Sequence, residues 1–430
     1  MNACLPGRAD ISALRRRYET ELLESVVPFW TRHSPDRANG GFWNCLDRDG
    51  SLYDTTKYGW LQGRQVWMLA KLHRTVDPRP EWLELALSGG RFLRERCLLP
   101  GGRVPFSMTA DGRAVYVQRK IFTECFYVLA LAELSRAADD AFLLREAEEG
   151  LERIWSWAFD WTKVGRPSYP GETPKRSLAV PMILLDLIDE VTGGDPRRYS
   201  AEVDECIRLV RLHVKRDTRR VHELVAPDGS LLDSADGRLL NPGHAIEAGW
   251  FLQHWARRLG REDLSREAID IVRWSFAEGW DAEYGGLFYF LDAGGHSPLP
   301  LEWSMKLWWP HAEALYAHLL DYSITREPSD WEAFLRTDAY AFAHFPDPQH
   351  GEWYGYLDRR GEVTHRFKGG PYKGCFHVPR ALWLCWRLLQ KLEDSSSRGT
   401  SVGPVPRDPP APGDPSSPDS NGAPRDDKSC

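Results

Sequence analysis

The sequence is poor in the features that announce membrane, nucleic-acid or disulfide-bonded proteins. Its eight cysteines (Cys4, Cys45, Cys97, Cys125, Cys206, Cys375, Cys385 and Cys430) contain no C-x-x-C pair. Over 430 residues that excludes a disulfide framework and a zinc ribbon, and reduced thiols in a cytoplasmic setting are expected. No apolar run reaches the ~18 residues of a membrane span; Leu178–Leu185 stops at Asp186. Met1–Arg17 carries Arg8, Asp10 and three consecutive arginines where a secretory leader needs an apolar core. Positive charge is not in excess, with 55 Lys and Arg against 62 Asp and Glu and a net charge of −7. That balance argues against nucleic acid or an anionic membrane as the main partner. Neither a G-x-G-x-x-G after a strand nor a G-x-x-x-x-G-K-[ST] occurs. Nicotinamide-dependent and P-loop chemistry are thereby removed.

What is abundant is the large flat side chain: 19 Trp, with aromatics at 12% of the chain. Length alone suggests two or three domains, a prior that one large repeat-built barrel defeats. Asp394–Cys430 separates at once, having eight prolines and no aromatic. It cannot bury enough apolar surface to offset its ordering entropy and is expected to be a disordered tail. Residues 1–393 then form one domain. Within it the pattern D-x-x-x-G-[GE]-x-x-x-x-L-D-x-x-G occurs three times. The copies run through Asp36, Gly40, Gly41, Leu46, Asp47 and Gly50; Asp281, Gly285, Gly286, Leu291, Asp292 and Gly295; and Asp347, Gly351, Glu352, Leu357, Asp358 and Gly361. Aromatics fill the middle of each copy, which reads as a small hairpin closed by an Asp-Gly-type turn.

Helical segments follow these hairpins, with apolar residues at i, i+3, i+4 and i+7. They share a charge one turn before an aromatic: Arg64/Trp67, Glu124/Tyr127, Glu247/Trp250, Glu313/Tyr316 and Arg380/Trp383. The charged members are spaced by 60, 123, 66 and 67 residues. Leu178–Ile188 fills the double gap, helical in pattern but read as lacking a charge at the matching position. Six units of about 60 residues result, each long enough for two helices and a connection. Closed on themselves they make an all-α (α/α)6 barrel, a six-hairpin toroid with short β-hairpins at its rim. The aromatics are at core-filling spacing. The charges need partners if buried and fit the mouth of a wet cavity. No alternation of β-branched strands with helices supports a TIM barrel.

One turn before that charge, two units carry histidine: His244 before Glu247 and His377 before Arg380. The shared register points both imidazoles at the central cavity, a third of a turn apart. With nearby carboxylates, an Arg and the indoles of Trp308-Trp309, they suggest a carbohydrate site. Asn241-Pro242 before His244 suits a helix start. His244-x-x-Glu247 has metal-ligand spacing, but no third ligand lies near and no metal is expected. Lys368–Gly374 reads either as a backbone cradle for phosphate or as a rim loop. Cys375 reads as a nucleophile or, more simply, a small buried thiol.

Four segments resemble the N-acylglucosamine 2-epimerase family, whose vertebrate member is also called renin-binding protein. They are Tyr58-x-Trp60-Leu61-Gln62-Gly63-Arg64-Gln65-Val66-Trp67; Asn241-Pro242-Gly243-His244 with Glu247-Ala248-Gly249-Trp250; Lys306-Leu307-Trp308-Trp309-Pro310-His311; and Lys373-Gly374-Cys375-Phe376-His377-Val378-Pro379-Arg380. The resemblance covers about Leu14–Leu392 and leaves out the tail. It implies an (α/α)6 barrel, a homodimer, and interconversion of N-acetylglucosamine and N-acetylmannosamine in amino-sugar and sialic acid metabolism. It further implies stimulation by ATP or another nucleotide that is not consumed, and binding and inhibition of renin. On this reading His377 and His244 are the acid/base pair, and Arg64, Glu247, Glu313, Trp308, Gln62 and Tyr58 bind substrate, without redox cofactor or metal. The alternatives are an (α/α)6 glycoside hydrolase and a non-catalytic renin-binding regulator. For the latter, Leu184–Val191 is too short for a convincing zipper.

Overall fold

The computed structural model describes residues 6–397. The chain opens with α1 (Arg8–Thr20), which passes through a π-helical stretch (Glu21–Val26) into α2 (Val27–His33). Helix pairs follow: α3 (Gly59–Thr75) with α4 (Pro80–Phe92), α5 (Phe122–Ala138) with α6 (Ala141–Ala158), and α7 (Ala179–Thr192) with α8 (Ser200–His213). After the short α9 (Ala235–Arg238) come α10 (Pro242–Leu259) with α11 (Glu262–Gly279), α12 (Trp308–Thr325) with α13 (Pro328–His344), and finally α14 (His377–Ser397). The first member of each pair is buried nearly all round, as α3 is from Leu61 to Leu72. The second buries one stripe, as α6 does with Leu143, Ala147, Leu151 and Ile154. A helix apolar on every side belongs inside and an amphipathic one outside, so the sequence pattern alone sorts the two rings of the expected barrel.

The sixth pair departs from six successive units. Its inner helix is α14, and its outer partner is the N-terminal α1, joined by Arg15 Nε to Glu393 at 2.8 Å. Inside, the Trp67 ring of α3 meets Phe376 and Trp383 at centroid distances of 5.3 and 6.5 Å, closing first inner helix on last. Helix α14 also runs four residues into the segment assigned to the tail. Residues 398–430, where the rest of that tail is expected, lie outside the described residues. The unit read as lacking a charge has one. Asp186 stands on α7, midway in sequence between Glu124 and Glu247, partly exposed and within electrostatic reach of Arg380 and Glu247.

The three repeated motifs form hairpins at the rim, each built around a buried ion pair. Asp36, Asp281 and Asp347 accept from the ammonium groups of Lys57, Lys306 and Lys368 at 2.8, 3.1 and 3.2 Å. Each ammonium also lies over the motif's aromatic: Trp43 at 4.7 Å, Phe288 at 3.9 Å and Tyr354 at 4.0 Å. A buried charge is tolerated only when paired and solvated by protein dipoles, which gives these aromatics a task composition could not assign. Lys57 and Lys306 lie on the strands that feed α3 and α12, so each pair clamps a hairpin onto the start of an inner helix. In the third copy Glu352 takes the left-handed conformation (φ 55°) that Gly41 and Gly286 hold in the other two. Its carboxylate binds Lys373 at 2.9 Å and the Trp30 indole, contacts that offset the strain.

Candidate active site

Asn241 caps α10, its side chain accepting from the His244 amide at 3.1 Å, with Pro242 at the first helical position. This fixes His244 on the cavity wall, where its Nδ1 lies 2.9 Å from Glu223 Oε2. The other oxygen of Glu223 accepts from Ser177 Oγ at 3.2 Å. His377 is the first residue of α14, and its Nδ1 lies 2.7 Å from Glu313 Oε1 on α12. Glu313 also accepts from Trp250 Nε1 at 2.9 Å. Arg380, one turn beyond His377, donates through a single Nη2 to Glu313 at 2.7 Å and to Glu247 at 2.5 Å. Arg380 Nη2 is 3.5 Å from His377 Nδ1, too long to compete with the carboxylate. Each histidine therefore carries hydrogen on Nδ1, facing its carboxylate, and leaves Nε2 free. Between the two rings sits Trp309, 5.3 Å from His244 and 5.9 Å from His377 by centroids.

The two imidazoles are biased in opposite directions. Burial works against protonating His244, but Glu223, by charge and hydrogen bond, and Glu247 outweigh it and raise its pKa. For His377 burial is again the largest influence, and the cations Arg64 and Arg380 act in the same direction, holding it well below the ordinary value. Burial brings Arg64 down to about 9, with Glu247 and Glu313 opposing, so it stays cationic at neutral pH. Its guanidinium rests over Phe126 at 4.1 Å and Trp60 at 4.5 Å, and its buried Nε has no hydrogen-bond partner among the described residues. Arg64 thus brings an open donor to the network. Glu247, Glu313 and His377 place ligand atoms within 4.8 Å of one another. The Arg380 guanidinium already bridges both carboxylates, supplying the positive charge a metal ion would otherwise bring.

Of the residues marked from sequence, the structure gathers His244, His377, Glu247, Glu313 and Arg64. Others it places elsewhere. Gln62 is fully buried, accepting from the Phe42 amide at 2.8 Å and donating to Phe42 O and Asn44 Oδ1 at 2.7 and 2.9 Å. It pegs the first hairpin and has no donor left for a ligand. Trp308 faces Tyr356, 5.2 Å away, and the indole touching both histidines is its neighbour Trp309. Tyr58 precedes α3 with its ring on Phe106 at 5.4 Å and its amide on Asn44 Oδ1 at 2.8 Å. Cys375 is buried, and burial with Glu352 pushes its thiol well up, out of reach of nucleophilic duty. The phosphate-cradle reading of Lys368–Gly374 also fails. The amides of Lys368, Gly369 and Gly370 donate to Leu46 and Lys373 carbonyls, and both lysines are tied to internal carboxylates.

Sequence reasoning missed Glu223 and chose Trp308 over Trp309. Glu223 is delivered by strand pairing, its carbonyl accepting from Leu178 N at 3.0 Å and its amide donating to Leu239 O at 3.0 Å. No spacing rule along the chain reveals such a residue. Trp309 was visible as half of a Trp-Trp pair, and only the rotation of α12 distinguishes the halves.

The sequence profile of the N-acylglucosamine 2-epimerase (GlcNAc 2-epimerase) family matches residues 41–381. The chain is 46% identical over 398 residues to N-acylglucosamine 2-epimerase of Bos taurus, covering 90% of this chain and 94% of that one. It is 43% identical to N-acylglucosamine 2-epimerase of Homo sapiens, covering 91% of this chain and 95% of the relative. Among solved structures, cellobiose 2-epimerase from Spirochaeta thermophila superposes with a TM-score of 0.76 at 22% identity, over 90% of this chain and 98% of that one.

Proposed function

The chain belongs to the N-acylglucosamine 2-epimerase family, and from that membership we propose that it interconverts N-acetylglucosamine and N-acetylmannosamine by passing the C2 proton between two histidines. It is a sugar epimerase. Inverting C2 without redox chemistry means removing its proton from one face and returning one to the other. That proton is acidic only beside a free C1 aldehyde, so the sugar ring opens first. His377, neutral and held through Nδ1 by Glu313, takes the proton at Nε2. The C2–H electrons form a C1–C2 double bond, and the aldehyde oxygen becomes an enolate stabilised by the charge of Arg64. His244, whose protonated form Glu223 and Glu247 favour, returns a proton from the opposite side, and the reverse reaction exchanges the two roles. Glu313 and Glu223 act through the histidines, and Trp309 offers its face to the sugar's C–H surface.

One observation supports this most: two imidazoles flank a single indole, each fixed at Nδ1 by its own carboxylate. A glycoside hydrolase needs two separated carboxyl groups with the glycosidic bond between them. Here Glu247 and Glu313 share one Arg380 nitrogen, which favours the epimerase. Replacing His377 by Ala should lower kcat by ~10²–10⁴-fold and abolish solvent-deuterium incorporation at C2; normal incorporation overturns the assignment. A cytoplasmic homodimer that feeds sialic acid metabolism, is stimulated by ATP or another nucleotide, and captures renin completes the reading by family resemblance. Because the Lys368–Gly374 loop is engaged internally, the nucleotide is to be sought elsewhere on the chain.

A further inference from the structure

Behind the sugar site, α12 and the start of α13 enclose a second polar cluster. His318, Asp321 and Asp330 are 1%, 0% and 1% exposed, and a ligand atom from each lies within 4.8 Å of the other two. Asp330 is fixed in place: Arg273 donates through Nε and Nη2 to its two oxygens at 2.8 Å each, and Thr325 Oγ1 donates to Oδ2 at 2.6 Å. The other two members are not. Among the described residues, neither ring nitrogen of His318 and neither carboxyl oxygen of Asp321 has a hydrogen-bond partner. Buried polar atoms are almost always paired, and one left alone bears its full desolvation cost. Two unpartnered side chains, each with an atom within 4.8 Å of the anchored Asp330 carboxylate, call for a ligand.

We propose that His318, Asp321 and Asp330 form a binding site for a divalent cation of the zinc type, seated between α12 and α13. His318 and Asp321 are three residues apart on one helix, a spacing that puts both on the same face. Asp330 meets them from the third residue of α13. One imidazole and two carboxylates make a mixed N/O donor set, which suits zinc and does not suit magnesium or calcium, whose ligands are oxygens. With donor atoms within 4.8 Å of one another, an ion at the ~2.0–2.2 Å typical of zinc would draw the three side chains closer together. The Arg273 and Thr325 bonds to Asp330 are the kind of outer contacts that orient ligating carboxylates. Two aspartates balance the double charge of the ion and Arg273 offsets part of that balance, so binding should be measurable without being irreversible. The site stands apart from the sugar reading: His318 lies beyond Glu313 on α12, and the ion would tie the helix bearing Trp309 and Glu313 to its outer partner.

The full chain, stripped with chelator and dialysed, is to be titrated calorimetrically with zinc chloride. We expect one equivalent bound per chain, with the affinity at least ~10-fold weaker in Asp321→Asn and His318→Gln. The thermal unfolding midpoint should rise with zinc in the parent and not in the two variants. X-ray absorption of the loaded protein should show a shell of nitrogen and oxygen only, which separates this site from the buried thiols. Substoichiometric binding, sulfur in the shell, or unchanged affinity in the folded variants overturns the proposal. Asp321→Asn preserves shape, and should either variant fail to fold, as judged by circular dichroism, the other decides alone.

Discussion

The two histidine walls of the cavity share a design and differ in outcome. On α10 and on α14 a histidine stands one turn before the helix's charged residue, and each binds a glutamate through Nδ1. Yet His244 is driven toward the imidazolium and His377 toward the neutral ring. The carboxylate contact cannot be the cause, because both have one. What differs is the next layer. Glu247 raises both; His377 has Arg64 and Arg380 against it in addition, with its side chain 9% exposed against 28% for His244. An enzyme that removes a proton from one face and supplies one to the other needs a base and an acid ready at the same pH. Under the proposed mechanism, two cations beside one of two matched histidines would meet that need.

The largest effect is expected from Arg380→Gln. It leaves Glu247 and Glu313 buried without their shared cation, a change that costs ~3–5 kcal/mol for a buried pair, read by thermal unfolding. It also removes a charge that depresses His377, so the acid limb of the kcat profile should move to higher pH. An unmoved limb would mean that the arginines do not set the difference between the walls. Glu223→Gln tests the other wall with a smaller effect. Without its carboxylate His244 loses the two largest influences raising its pKa, and the basic limb, which reports loss of the acid's proton, should move down. Activity above that limb should fall ~10-fold for each pH unit of displacement.

The architecture and the two histidines were legible in the sequence because both rest on helical periodicity and a regular repeat, signals that survive without knowledge of tertiary contacts. Residues whose positions depend on strand pairing were not. Glu223 reaches His244 because Arg176–Ser177 pairs with Leu224–Val225, a contact between segments far apart in the chain. The choice between Trp308 and Trp309 depends on the rotation of α12, set where Lys306–Leu307 joins Tyr356–Leu357. Gln62 was a candidate through the Tyr58–Trp67 motif of the family resemblance, but it performs for the first hairpin what His311 performs for the second, accepting an amide, here Leu287 N at 2.9 Å. Asp186 was visible only as the end of an apolar run, because its equivalence to Glu124 and Glu247 depends on how α7 is placed in the ring.

The smallest expected effect is the most discriminating between the walls. A histidine with a raised folded pKa contributes stability that is fully present below its unfolded value of ~6.5 and lost as pH rises through the folded one. That is the position of His244. A histidine with a depressed folded pKa does the reverse: its contribution is present above ~6.5 and lost as pH falls toward the folded value. His377 belongs here, with His213 and His318, brought by burial to about 4, and His254 and His311, brought to about 3. The protein as a whole should therefore weaken below pH ~6.5, with His244 opposing the trend. Denaturant midpoints at pH ~5.5 and ~8 for the parent, His244→Gln and His377→Gln separate the two. His244→Gln should be more damaging at the lower pH and His377→Gln more damaging at the higher, because each removes its histidine where that histidine stabilises. Losses in the same direction for both variants would show that the walls are electrostatically alike, and the division into a resting acid and a resting base would fall with that result.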